Sequence, residues 1–168
     1  MIENLKSENY DCNFDQEEGL LLITYRNTIT PTVTRAVYAW ITEVIDRGAE
    51  LPPIYGCIFN FSDVKAFDSA NLSTARRESR NLRQEKSEAI EAIPTLLIAV
   101  STYQEMMLRT SMKLAQQSEQ QDMPRVRVVR SMQDAYSYIE QWHAFHGRNV
   151  ILPRKTAELD TATPDSPG

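Results

Sequence analysis

An aspartate and a serine stand side by side in FDSANL, residues 67–72, between the apolar run CIFNF and the basic run RRESRNLRQEK. A serine hydroxyl at the start of a helix suits a phosphoryl group. Exposed N–H groups and the positive end of the helix dipole stabilise an added charge of about −1.5 to −2. Either side chain could instead cap the helix through its oxygen, a purely structural use of the same residues. Asp68 and Ser69 follow the strand that ends at Phe61. In an α/β sheet, the crevice beyond the carboxyl ends of the strands is where ligands and partners dock.

The helix expected after this stretch carries Arg76, Arg77, Arg80, Arg83 and Lys86 against Glu78, Glu85 and Glu88. At 100° per residue, Arg76, Arg80 and Arg83 share a narrow stripe. That stripe is either a solvated face or an electropositive rim for an acidic partner or phosphate. The small residues Ala75 and Ser79, between Leu72 and Leu82, predict an inner face lying close to the sheet.

Other reactive groups are few. His143 and His146 fall at the end of a helix without an HExxH frame, and read as cations complementing its negative terminus. The chain has five glycines and no nucleophile elbow, phosphate-binding loop or dinucleotide fingerprint, so no enzyme is expected. The two cysteines, Cys12 and Cys57, lack metal-ligand or disulfide spacing and read as buried free thiols. No metal and no cofactor is implied. Of the six methionines, Met106 and Met107 share an apolar stripe with Leu114 and read as core packing, whereas Met112 and Met123 fall on no such stripe.

A net charge of −5 argues against a general nucleic-acid binder. The N-terminal stretch MIENLKSENYDC has no apolar h-region, and no run approaches the ~20 residues of a membrane span. The expected location is cytoplasmic.

Periodicity supplies the elements that would position these residues. Tyr10, Cys12 and Phe14 alternate, DQEEG supplies a turn, and residues 20–25 form a second strand. Thr30 caps a helix with Pro31 at its first position. That helix buries Val33, Val37, Trp40, Ile41 and Val44, and ends at Gly48. YGCIFNF, 55–61, reads as a strand covered on both faces. A second helix runs from FDSANL to about residue 90, then IPTLLIAVS, 93–101, forms a buried strand. TYQEMMLRTSMKLAQQSE reads as a third helix with Tyr103, Met106, Met107, Thr110 and Leu114 inward. RVRVVR, 125–130, alternates as a strand, and Ser131 caps a last helix burying Met132, Ala135, Tyr136, Ile139 and Trp142. The order ββαβαβαβα requires crossovers, hence a single α/β domain with a mixed, mostly parallel sheet flanked by helices. It spans 1–147, and 148–168 reads as a flexible, proline-rich tail.

The run CIFNFSDVKAFDSANL resembles the signature of STAS domains, the anti-sigma-factor antagonist family. There an apolar Leu-Asp-Leu strand leads through Ser-x-Val to Asp-Ser-Ser-Gly-Leu. Residues 59–64 are similar to the first half, and Asp68, Ser69, Ala70, Asn71 and Leu72 to the second. Asn60, Ala70 and Asn71 replace the family's aspartate, second serine and glycine. The motif covers 58–72, and the element order is similar over 10–145.

The resemblance implies a SpoIIAA-like scaffold without catalysis of its own and phosphorylation of the serine after the aspartate, which falls on Ser69. The implied partner is an anti-sigma factor or kinase-like protein binding the unphosphorylated form. Contacts to it are expected at Asp63, Asp68, Asn71, Arg76 and Arg80. Two rivals stand beside this reading. One is a small-molecule or lipid carrier with a cavity lined by methionine and aromatic side chains, Arg76 or Arg80 holding an anionic head. The other is a self-associating structural subunit.

Overall fold

The computed structural model describes residues 2–111 and 123–154. Its strands are β1 (Leu5–Lys6), β2 (Tyr10–Asp15), β3 (Leu20–Ile29), β4 (Gly56–Phe67), β5 (Thr95–Ile98) and β6 (Val126–Val129). Its helices are α1 (Pro31–Asp46), α2 (Ser69–Glu85), α3 (Ser87–Glu91), α4 (Thr102–Ser111) and α5 (Met132–Phe145). The strands form one sheet in sequential order. β1, β2 and β3 pair antiparallel, and β3 to β6 pair parallel. This is the single α/β domain that the alternation of elements requires, with the short β1 added at the edge.

Strand alternation divides the core into two layers. Leu21, Ile23, Tyr25, Cys57, Phe59, Phe61 and Leu97 point to one face, where α1 lays down Val33, Val37, Trp40, Ile41 and Val44. Leu20, Ile58, Leu96 and Ile98 point to the other, covered by Ala135, Tyr136, Ile139 and Trp142 of α5. Each such buried aliphatic or aromatic side chain contributes roughly 1.5–3 kcal/mol. Helices on both faces explain why the central strands read as continuous apolar runs.

Local signals set the helix starts. The Thr30 hydroxyl accepts from Val33 N–H, and Pro31 opens α1. Ser131 accepts from Asp134 N–H and opens α5. Cys12 and Cys57 are both buried free thiols.

The structure also corrects several sequence expectations. β4 runs six residues beyond Phe61, to Phe67, because β3 also continues and pairs Thr28 with Ala66 and Ile29 with Phe67. Two register shifts, with Asn27 at φ 62°, bend this extension, and asparagine tolerates that left-handed backbone.

The helix after FDSANL breaks at Lys86 and restarts as α3. Lys86 Nζ there meets Asp46 at 2.5 Å. α1 itself stops at Asp46, with Arg47 as its C-cap and Gly48 starting a short 3₁₀ turn.

The third helix has a different inner face. Tyr103 and Met106 are 47% and 57% exposed, whereas Gln104 and Leu108 are buried. β5 ends at Ile98 opposite Asn60, so the β4 carbonyls of Ser62 and Val64 lack a strand partner. The Gln104 amide supplies it, donating to both at 3.2 and 3.0 Å while its Oε1 accepts from Val100 N–H. A polar residue turns inward because buried backbone groups must be paired. Leu114 lies outside the described residues.

His143 is buried rather than a terminal cation. Its Nδ1 accepts from Arg148 Nε–H, so the neutral ring donates from Nε2 to the Tyr55 carbonyl at 2.7 Å. His146 is exposed, its Nδ1 2.8 Å from the Trp142 carbonyl oxygen.

Residues 148–154, expected in the tail, pack onto α5. Leu152 is buried, its N–H donates to Glu140, and Arg154 pairs with the same carboxylate. No helix among the described residues is long and apolar enough to cross a membrane.

Candidate functional site

α2 connects two features, a hydroxyl at its first turn and a cleft beneath its length. At the first turn the cap is Asp68, whose Oδ1 accepts from Ala70 N–H at 2.9 Å. Ser69 follows as the first helical residue, and its side chain is exposed. Its hydroxyl makes no hydrogen bond among the described residues. The capping role therefore belongs to the aspartate, and the serine is left to the solvent at the carboxyl end of β4.

The other sequence-predicted residues spread over three environments. Asp63 is exposed on β4, in register with Arg26 of β3, whose guanidinium is held by Asp11 at 2.8 and 3.0 Å. Asn71 is 5% exposed and sits in the α1–α2 interface rather than on the outer rim. Arg76 is half-buried and donates to the Thr110 carbonyl at 2.8 Å, and Arg80 is exposed. Asn60, at the motif position of the family's aspartate, accepts from Ser62 N–H at 2.9 Å and so ties down the strand.

The inner face of α2 does not lie on the sheet as its small residues suggest. The helix packs along α1 and α4, and a cleft of about 500 Å³ separates it from the strands. Tyr25, Phe59, Phe61 and Phe67 form one side, and Leu72, Ala75 and Ser79 form the other. Tyr25 and Phe61 stack at 5.0 Å, with Phe59 and Phe67 continuing the row at 6.0–6.5 Å from Phe61. Burial raises the Tyr25 phenol well above its ordinary value and pushes Tyr38 up to about 12, although a hydrogen bond from Ser79 opposes the latter. Both phenols stay neutral.

The mouth is cationic. Among the described residues, Arg76, Arg80, Arg83 and Arg125 line the cleft against a single carboxylate, Glu91. The predicted stripe of Arg76, Arg80 and Arg83 therefore borders a cavity. Arg83 reaches Glu91 only at 3.9 Å. Arg125, just before β6, donates from Nη1 to the Ile93 carbonyl at 3.0 Å and to Thr95 Oγ1 at 3.3 Å. Burial lowers its pKa; Glu91 acts in the opposite sense, and Arg83 adds to the lowering. Among the described residues Arg125 has no ion-pair partner.

Sequence reasoning found the α2 arginines and, in the carrier reading, an aromatic-lined cavity. It missed Arg125 and which rings form the floor, and it expected methionines that the lining does not contain among the described residues. Phe59 and Phe61 do stand at strand spacing, and that pattern alone reads as core.

No family model matches the chain, and no curated protein matches it. Among solved structures it is similar to the anti-sigma factor antagonist SpoIIAA in its unphosphorylated form. That similarity has 15% identity and TM-score 0.49, covering 75% of this chain and 92% of that one. It is also similar to an anti-sigma factor antagonist from Mycobacterium paratuberculosis, with 14% identity and TM-score 0.46, covering 80% and 98%.

Proposed function

We propose that the chain is a non-enzymatic, STAS-like regulatory domain that binds a protein partner at the β4–α2 junction and is switched by phosphorylation at Ser69. One observation carries this reading. Asp68 takes the helix-capping role, so Ser69 presents an exposed hydroxyl at the first position of a helix. A phosphoryl group added there meets the positive end of the α2 dipole. The motif resemblance over 58–72 supplies the class of partner, an anti-sigma factor or kinase-like protein. Asp63 and Asp68 lie at the surface near the junction as its contacts, with Arg80 further along the same helix. Asn71 is buried and acts through the helix position instead.

The test is phosphosite mapping by mass spectrometry after incubating the chain with ATP and an extract of its host cells. It is paired with affinity capture by wild type, Ser69→Ala and Ser69→Asp. Label at Ser69 is expected, with a partner retained by Ser69→Ala and lost by Ser69→Asp. No label in any growth condition, together with identical capture by each chain, overturns the proposal.

A further inference from the structure

The aromatic cleft under α2 lies apart from the Ser69 hydroxyl and has its own chemistry. Its volume of about 500 Å³ falls within the 300–1,000 Å³ typical of small-molecule pockets. The α2 residues that line it run from Asn71 to Gln84, a length of about 20 Å at 1.5 Å per residue. It is therefore long as well as apolar.

Two features select the occupant. The first is charge: among the described residues, four guanidinium groups and one carboxylate border the cleft, in a chain whose net charge is −5. Arg125 is the most constrained of these cations. It is partly withdrawn from water and, among the described residues, held by neutral oxygens alone, an arrangement that an incoming anion relieves. Arg80 makes no hydrogen bond or ion pair among the described residues, and the Arg83–Glu91 pair is long and exposed. The second feature is the floor. Tyr25 and Phe61 lie at 5.0 Å with 23° between their planes, too close for rings placed side by side. One face of each ring is turned toward the other and covered, which favours an aliphatic body over a flat ring seeking a stacking partner.

We propose that this cleft binds a small anionic amphiphile. Its aliphatic chain lies along Tyr25, Phe59 and Phe61, and its carboxylate or phosphate head is held by Arg80, Arg83 and Arg125. The wall opposite the floor is built from Ala75 and Ser79, whose small side chains leave the space open. The inference is independent of the phosphorylation reading.

Titration of the full chain with palmitate, dodecyl phosphate, hexadecanol and naphthalene sulfonate tests it, with native mass spectrometry giving the stoichiometry. Palmitate, dodecyl phosphate or both bind one to one, and the better of the two identifies the head group. The alcohol binds about tenfold more weakly or worse, as expected for one lost charge-assisted contact. Arg125→Gln weakens the acid by about tenfold and leaves the alcohol unchanged. Ala75→Trp fills the cleft and abolishes binding while thermal unfolding stays cooperative, and Ser79→Phe is the second filling variant should the first fail to fold. Ser69→Ala leaves every affinity unchanged, which separates this site from the regulatory one. Failure of both acids to bind, binding that persists in a folded filled variant, or tighter binding of naphthalene sulfonate than of either acid overturns the proposal.

Discussion

The Thr34 hydroxyl donates to Asn71 Oδ1 at 2.5 Å, joining the first turn of α1 to the first turn of α2 inside their interface. Both residues are buried, at 2% and 5% exposure, and both line the inner end of the cleft. This bond sets where α2 begins relative to α1. Ser69 and Asn71 therefore face different environments although only two positions separate them.

Asn71→Gly installs the family's glycine and removes that bond. It leaves the Thr34 hydroxyl buried without its partner and adds backbone entropy to a helix. The expected loss is roughly 1.5–4 kcal/mol, read as a lower urea midpoint with an unchanged slope. Stability equal to wild type would show that the interface repacks without the hydrogen bond.

Asp68→Ala and Ser69→Ala should part company although the residues are neighbours. The aspartate holds Ala70 N–H, so its loss costs about 1 kcal/mol, whereas the exposed serine costs within about 0.5 kcal/mol. Thermal unfolding of the two variants measures the difference. Equal losses would assign a structural role to the Ser69 hydroxyl and weaken its reading as a switch.

Gln104→Leu keeps the side chain's bulk and removes its polar atoms. Ser62 C=O, Val64 C=O and Val100 N–H then lose their partner, at roughly 1–3 kcal/mol for each group left dry. Hydrogen exchange should show the largest loss of protection in the extension of β4 between Ser62 and Phe67. Protection lost evenly across the sheet would point to global destabilisation instead.

His143 predicts an acid-side decline in stability. Burial lowers its pKa first, the charges of Arg148 and His146 act in the same direction, and the hydrogen bond to Tyr55 opposes them. The unfolded chain, with an ordinary imidazole near 6.5, takes up its proton first as pH falls. The contribution is therefore fully present above about pH 6.5 and is lost progressively below it. Urea midpoints at about pH 7.5 and about pH 5.5 should differ more in wild type than in His143→Gln, which cannot titrate in this range. An identical pH response in the two chains would place the acid sensitivity elsewhere.

Much of the scaffold was legible in the chain because the signals are local. Thr30 followed by Pro31, and Ser131 before an apolar stripe, mark helix starts through hydrogen bonds spanning a few residues. Alternation in β2 and continuous apolarity in β4 record which faces are covered, and α5 showed its buried stripe at helical spacing. Aspartate and serine at 68 and 69 were visible too, but not which of them would cap.

What the tertiary structure decided are the properties set by residues distant in sequence. β4 extends to Phe67 only because β3 runs beside it, and Gln104 turns inward only because β5 stops at Ile98. Arg125 meets Arg80 and Arg83 only when β6 takes its place beside β5. The cleft is the clearest case. Ala75 and Ser79 give a helix a thin inner face, but whether it settles onto the sheet or stands away depends on how α1 and α4 hold it. No local spacing encodes that balance, because it is a packing equilibrium among elements that meet only in the folded state.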